Sequence, residues 1–362
     1  RGLGDVYKRQ GDTIKVVMKY IQKIQRKITQ YRESKYLSTD PVVADLQRAL
    51  TRDRVLEDID DRIAYSKDES VFEGGIAGPV CFPTSTQEVQ EIMHIAERHE
   101  RHVIPRGAGS GLAGGAIPLG APIVIAMTKM NNILEVDIDN RIAWVEPGVI
   151  NLELSDYLRP LGFHYAPDPS SQQICTLGGN VANNSGGPHC LADGVTDTHV
   201  LAMEVVLPDG DVALFGGLDA EPEGLDLRGA FIGSEGTLGI TTKIAVRLTP
   251  NPDDVQTILI SFPSMRKAAE TVSAIIADGI VPAAMEAMDQ KTIEVIEQHI
   301  PAGYPTNAGA VLLVEVEGLA DGVEIDALRI GEIAETHEAD DIKIAQTLSL
   351  IHISEPTRRY AI

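Results

Sequence analysis

Cysteine and aromatic side chains are scarce: three cysteines, one tryptophan and 4% aromatics in 362 residues. Cys81, Cys175 and Cys190 show no CxxC or Cys/His spacing, which argues against a zinc or iron–sulfur centre and fits a reducing compartment. Basic residues are also short, 31 against 53 acidic ones, leaving a formal charge of −22 with no cationic cluster. Such a chain repels a polyanion, so nucleic acid is excluded as a partner. No apolar run approaches the roughly 18 residues of a membrane span, and no signal peptide precedes the first charged stretch. The expectation is a cytoplasmic protein without a transmembrane segment.

What is present is enough chain for two or three domains, with 43% hydrophobic residues. The two ends read differently from the rest. Residues 1–10 (RGLGDVYKRQ) and 348–362 (LSLIHISEPTRRYAI) resemble in-frame translations of a transposon-based sequencing adapter. They are set aside as artefact, and the native segment is expected to be 11–347, cut at its C-terminal end.

Residues 11–64 carry apolar positions at helical spacing (IKVVMKYIQKIQRKI, then VVADLQRAL) and predict an N-terminal helical segment. A strand, a Ser/Thr cap around Thr86 and an amphipathic helix follow in GPVCFPTSTQEVQEIMHIAERHE, then a second strand in HVIPRG. Beyond residue 120 the pattern turns to short β segments, interrupted by one helix in NLELSDYLRPLG, with Trp144 placed on the inner face of its strand. NPDD at 251–254 predicts a boundary. After it come a strand (VQTILISF), two helices (SMRKAAETVSAIIADG, QKTIEVIEQHI), a strand (AVLLVEVEG) and a helix (VEIDALRIGEIAETH), an α+β order consistent with a ferredoxin-like layer.

Three glycine-rich loops stand out. In PRGAGSGLAGG, Gly109, Gly111 and Gly114 satisfy GxGxxG, but Gly115, Pro118, Gly120 and Pro122 follow at once. No helix starts through that density of breakers, so the helix-borne pyrophosphate site of a Rossmann fold is disfavoured. A Walker A loop fails for want of Gly-Lys-Ser/Thr. What remains is an anion-binding nest of backbone N–H groups, or a plain glycine-rich turn. The second loop, YAPDPSSQQICTLGGNVANNSGG, has small residues that permit close approach to a flat ring and amides that can meet ring heteroatoms. The third, FIGSEGTLGI, sets Glu235 between glycines before a strand.

Together, PRGAGSGLAGG, APDPSSQ, GGNVANNSGGPHC and GSEGTLGI resemble the FAD-binding domain of the vanillyl-alcohol oxidase/p-cresol methylhydroxylase (PCMH) type, and within it the glycolate oxidase flavin subunits and D-lactate dehydrogenases. The resemblance implies an α+β fold: a two-subdomain PCMH-type FAD-binding domain over 65–250, then an incomplete ferredoxin-like cap domain over 251–347. It implies that Pro105, Arg106, Gly107, Ala108, Gly109, Ser110, Gly111, Leu112, Ala113, Gly114 and Gly115 wrap the FAD pyrophosphate. Asp168, Pro169, Ser170, Ser171, Gly178, Gly179, Asn180, Asn183, Gly186 and Gly187 would line the flavin and its linker, with Glu235, Gly236 and Ile240 near the adenosine end or ribityl chain. Ser110 stands where covalent members of the family often carry histidine, so the FAD is expected to be non-covalent.

By the same resemblance a D-2-hydroxy acid, glycolate or D-lactate, gives its α-hydrogen to the flavin as a hydride equivalent while a base takes the hydroxyl proton. Electrons would pass to a partner, with a second flavin subunit and an iron–sulfur subunit implied, or to a quinone-linked acceptor, the chain lying peripherally at the inner membrane through its partners. The carboxylate-binding arginine, the HxGDGNxH-like metal motif and the Glu-His pair of the family do not occur in 11–347. The catalytic base and metal site are therefore expected outside this chain, which should bind FAD and turn over little. His189 in GGPHC is the weak catalytic candidate within it, against a structural role. His164, Cys175, Cys190 and Glu286 read as structural. D-2-hydroxyglutarate oxidation, an ether-lipid synthase reaction and a non-catalytic flavin or assembly subunit are the competing readings.

Overall fold

The computed structural model describes residues 40–218, 224–299 and 301–345. The helical reading of 11–39 and both adapter-like ends lie outside the described residues. The described chain divides into two compact units.

The first comprises the described residues up to Met130 with Val206–Ala213 and Leu238–Ile240. Its sheet runs in the order β1 (Val55–Leu56), β2 (Val80–Cys81), β4 (Ile123–Ala126), β3 (Val103–Arg106), parallel except for the antiparallel β1–β2 pair. Strand alternation gives Ile123 and Ile125 to one face and Val124 and Ala126 to the other. On the first face, helices α1 (Pro41–Leu50) and α2 (Thr86–Arg98) bury Leu46, Leu50, Val89, Ile92 and Ile95 against the two isoleucines and Cys81. Residues 41–56, grouped by periodicity with the N-terminal segment, thus supply a helix and an edge strand to this core. The cap of α2 is Ser85, whose Oγ accepts from the Glu88 N–H at 3.3 Å, and Thr86 is the first helical residue rather than the cap.

The second unit comprises the described residues of 131–205, 214–237 and from 241 onward. Its first sheet orders β5 (Ile133–Asp137), β6 (Ile142–Val145), β9 (Ile240–Arg247), β7 (Val200–Val206) and β8 (Val212–Gly216). Trp144 is a correction: Ala143 and Val145 take the buried face of β6, and Trp144, in antiparallel register with Ala245, is only half-buried. Helices α3 (Asn151–Leu158), α4 (Leu177–Asn183) and α5 (Leu227–Phe231) lie in its connections.

Its second sheet uses β10 (Asp254–Phe262), β11 (Ala284–Asp289), β12 (Ala310–Gly318) and β13 (Asp341–Ala345). The spatial order β11-β12-β10-β13, all antiparallel, is that of a ferredoxin-like layer. Helices α6 (Met265–Ala277) and α8 (Ala320–Thr336) bury Ala268, Ile275, Val323, Ala327 and Ile330 against Ile258, Ile260, Leu312 and Val314. The other face packs Ile293 and Ile296 of α7 (Gln290–His299) with Tyr304 on Leu259, Val311 and Leu313. Strands β11 and β13 were not expected from the sequence.

Candidate functional site

The first glycine loop leaves β3 at Pro105–Arg106, and no helix follows it before β4. Arg106 folds back beneath the loop: the guanidinium lies 5.6 Å from the Tyr65 ring centroid, and Nη1 donates to the Ala116 carbonyl at 3.4 Å. Gly109 sits at φ +75°, and a Cβ there would collide with that guanidinium. Gly114, at φ +86°, donates its N–H to the buried Asp68 carboxylate at 2.9 Å, and the Gly111 carbonyl accepts from the Glu69 N–H at 3.2 Å. The loop is thus shaped from beneath, while among the described residues the N–H groups of Gly109 to Ala113 make no hydrogen bond. Free successive N–H groups are what an anion nest requires.

In the second unit, Asp168–Ser171 form a tight turn, with Gln172 N–H donating to the Pro169 carbonyl at 2.7 Å and Cys175 N–H to the Ser171 carbonyl at 2.8 Å. Asn151, fully buried at the start of α3, donates Nδ2 to the Pro167 carbonyl at 2.8 Å and ties the turn to that helix. The next segment is helical, where sequence alone leaves a loop. Thr176 caps α4 by accepting from the Gly179 N–H at 3.3 Å, and Leu177 and Val181 are buried. Gly178 is required by close approach, since a Cβ would lie 2.6 Å from Pro147 Cβ. Asn180 is 1% exposed, and neither its Oδ1 nor its Nδ2 has a hydrogen-bond partner. Asn183 points outward, its Nδ2 donating to the Gly179 carbonyl at 2.9 Å.

After α4, a Cβ at Gly186 would meet Cys190 Sγ and one at Gly187 would meet the Asp168 carbonyl. Cys190 Sγ accepts from the Gly187 N–H at 2.9 Å, so it shapes this loop as a packed thiol. The third glycine loop hangs on the last turn of α4: Gly233 N–H donates to Val181 O and Glu235 N–H to Ala182 O, both at 2.9 Å. Glu235 is exposed at φ 52° beside Gly236 at φ 75°, and Ser234 Oγ is buried without a partner. Ile240 belongs to the core of the first unit.

His189 lies between two carboxylates. Nδ1 is 2.6 Å from Asp168 Oδ2, and Nε2 is 3.0 Å from Oε1 of Glu315 on β12. Burial disfavours the charged ring, yet the hydrogen bonds and charges of Asp168 and Glu315 prevail and push its pKa up to about 11. No ring nitrogen is left for a substrate, so the structural reading of His189 is the one the geometry supports. Glu315, Asn151 and Asp68 escaped the sequence reading. A signal for Glu315 existed: it is a charge on the buried face of the apolar strand AVLLVEVEG.

His164 pairs with Asn251 Oδ1 at 3.1 Å, and burial lowers its pKa. Cys175 is buried, and Glu286 is half-buried on β11 opposite Leu313. Among the described residues no group of three or more His, Cys, Asp or Glu is placed to hold a metal ion, and no helix is long and apolar enough to cross a membrane.

Residues 78–216 match the FAD binding domain family, and residues 251–351 the C-terminal domain of FAD linked oxidases. The chain is 40% identical over 311 residues to glycolate oxidase subunit GlcD of Bacillus subtilis, covering 84% of this chain and 66% of the relative. To the GlcD subunit of Escherichia coli K12 it is 42% identical over 267 residues, 74% of this chain and 54% of the relative. A D-lactate dehydrogenase of Anaerostipes hadrus is 32% identical over 313 residues, 84% and 64% of the two chains. The chain therefore spans between about half and two thirds of the length of these relatives. Among solved structures, alkyldihydroxyacetonephosphate synthase superposes with a TM-score of 0.78 at 21% identity, covering 88% of this chain and 68% of that one. Substrate-bound p-cresol methylhydroxylase does so at 0.74 and 19%, covering 88% and 68%. These two likenesses establish the fold.

Proposed function

The chain belongs to the FAD linked oxidases, and we propose that it is the FAD-binding part of an enzyme oxidising a small 2-hydroxy acid, glycolate or D-lactate, to the 2-oxo acid. The substrate class follows from what its relatives are named for: glycolate oxidase subunits at 40% and 42% identity, and a D-lactate dehydrogenase at 32%.

The observation that carries the cofactor assignment is Asn180, a fully buried amide with neither polar atom satisfied. A buried amide of that kind costs about 1–3 kcal/mol, which a ligand bearing complementary donors and acceptors recovers. The residues present fit FAD. Free N–H groups of Gly109 to Ala113 suit its diphosphate, and the tight turn 168–171 with the glycines of 178–187 suits its flat ring. In this proposal Pro105 to Gly115 hold the pyrophosphate, Asp168 to Gly187 the ring and linker, and Glu235 and Gly236 the remainder, within a FAD-binding domain of 65–250 and a cap from 251.

When bound, FAD supplies the two-electron acceptor for the hydrogen on the substrate α-carbon. The chain's own contribution is placement. Asn151 and Cys190 fix the Asp168 turn and the Gly186–Gly187 loop, and Thr176 caps α4, which carries the half-buried Gly178 and Gly179 and the buried Asn180 amide. The subunit naming of the GlcD relatives supports electron transfer to a partner subunit.

The test is an absorbance spectrum of the purified chain with excess FAD, before and after acid denaturation, followed by anaerobic addition of glycolate, D-lactate or D-2-hydroxyglutarate to the relative-length enzyme. A flavin spectrum that leaves with the acid supernatant, and bleaching by glycolate or D-lactate, is the expected result. A folded chain without flavin overturns the cofactor site, and bleaching by D-2-hydroxyglutarate alone overturns the substrate class.

A further inference from the structure

The contact between His189 and its two carboxylates has only one protonation pattern in which both interactions are hydrogen bonds from the ring. A neutral imidazole has one N–H, so one of the two contacts, at 2.6 and 3.0 Å, would set a nitrogen lone pair against a carboxylate oxygen. The imidazolium donates through both nitrogens and satisfies Asp168 and Glu315 together.

The partners lie on either side of His189 in the sequence, 21 positions before it and 126 after it. Asp168 belongs to the flavin-side turn, and its backbone carbonyl abuts Gly187, so His189 holds both 168–171 and 186–187. Glu315 sits on the interior strand β12, opposite Thr257 on one side and Ala284 on the other. Its side chain is 4% exposed, and its second oxygen takes the Thr257 hydroxyl at 3.5 Å. A buried carboxylate locked in a sheet has little freedom to follow a moving partner, and a buried charge left unpaired is strongly unfavourable.

We propose that His189 is a positioning residue, held cationic between Asp168 and Glu315, through which retention of FAD by the flavin-side loops depends on the C-terminal sheet. This rests on the reading that 168–171 and 186–187 face the flavin. Charged and titratable groups around the ring are Asp168, Asp193, Glu315 and Glu317, with His164 as the second histidine of the cluster. With four carboxylates against one certain cation, removing the charge of Glu315 weakens the hold on the proton without abolishing it.

The experiment uses the full chain with 13C,15N-labelled histidine, His189 being assigned by its loss in His189→Gln. In the wild type its ring signals are expected to stay those of an imidazolium between about pH 5.5 and 8.5, where an ordinary histidine titrates. Glu315→Gln keeps the size and an acceptor oxygen but not the charge. It is expected to bring the His189 midpoint into that range and to weaken FAD binding about tenfold above the midpoint, with recovery below it. His189→Gln is expected to show the same loss at every pH, whereas packing damage alone in Glu315→Gln would give a loss without recovery below the midpoint. A wild type in which every histidine titrates near its ordinary value overturns the triad, and that outcome needs no variant to fold. FAD affinity unchanged in both variants overturns the coupling alone. A folded wild type that binds no FAD overturns the site reading and the coupling with it, while the imidazolium signals still stand or fall on their own.

Discussion

Asn180 shows what a single residue discloses. The sequence marks it as an amide among glycines; only the fold shows that it is buried with neither end satisfied. Replacing it by the apolar, similarly shaped leucine removes the cost of the unpaired amide, so Asn180→Leu is expected to raise the stability of the FAD-free chain by roughly 1 kcal/mol. It should weaken FAD binding more than about tenfold, or 1.4 kcal/mol. Thermal melts with and without FAD check both signs, and a variant that loses stability and keeps its affinity contradicts the assignment. Gly187 makes the opposite case. A Cβ there meets the Asp168 carbonyl, a backbone atom that cannot swing aside, so Gly187→Ala is expected to cost about 1–3 kcal/mol in the FAD-free chain and weaken FAD binding as well. Urea titration of the two chains measures the first and FAD titration the second. Glycine at these positions was legible in the sequence because only loss of the side chain permits such contact. The Asp168–His189–Glu315 triad was not, because no local pattern links positions so far apart.

At the scale of elements, legibility followed local pattern. VQTILISF and AVLLVEVEG became β10 and β12 because β-branched and leucine residues fill both faces of an interior pair. β11, with the sequence AMEAMD, lacks that composition and is a strand because each residue pairs across to β12, from Ala284 opposite Glu315 to Asp289 opposite Ala310. α4 defeated the sequence reading for a different reason. Gly178 and Gly179 cost roughly 1 kcal/mol each relative to alanine, yet the Thr176 cap and the burial of Leu177 and Val181 stabilise the helix. Two caps therefore form a controlled comparison. Ser264 accepts from the Lys267 N–H at 3.4 Å to cap α6, much as Thr176 caps α4. Ser264→Ala and Thr176→Ala are each expected to cost about 1 kcal/mol of stability. FAD affinity should fall only in Thr176→Ala, since α4 carries Asn180 and anchors the third glycine loop through Val181 and Ala182. Equal affinities in the two variants would place the flavin elsewhere.

For the whole molecule, the formal charge of −22 sets a background against which any one group must be measured. Self-repulsion of that size lowers stability at all neutral pH values and is relieved by salt. His189 adds a component with its own sign. Its folded-state pKa, about 11, lies above the ordinary value near 6.5, so between the two the folded chain holds a proton that the unfolded chain has released. Stability from this group is complete below the unfolded value and declines as pH rises toward the folded one. The background cancels when wild type is compared with His189→Gln at one ionic strength. The difference in unfolding free energy is expected to shrink by about 1–2 kcal/mol between about pH 7 and pH 9, less than a fully shielded ring would give because His189 retains some solvent contact. Urea unfolding of both chains at several pH values makes the measurement. A difference that stays flat over that range would mean that the folded chain holds no extra proton at this site, and that the ring is neutral.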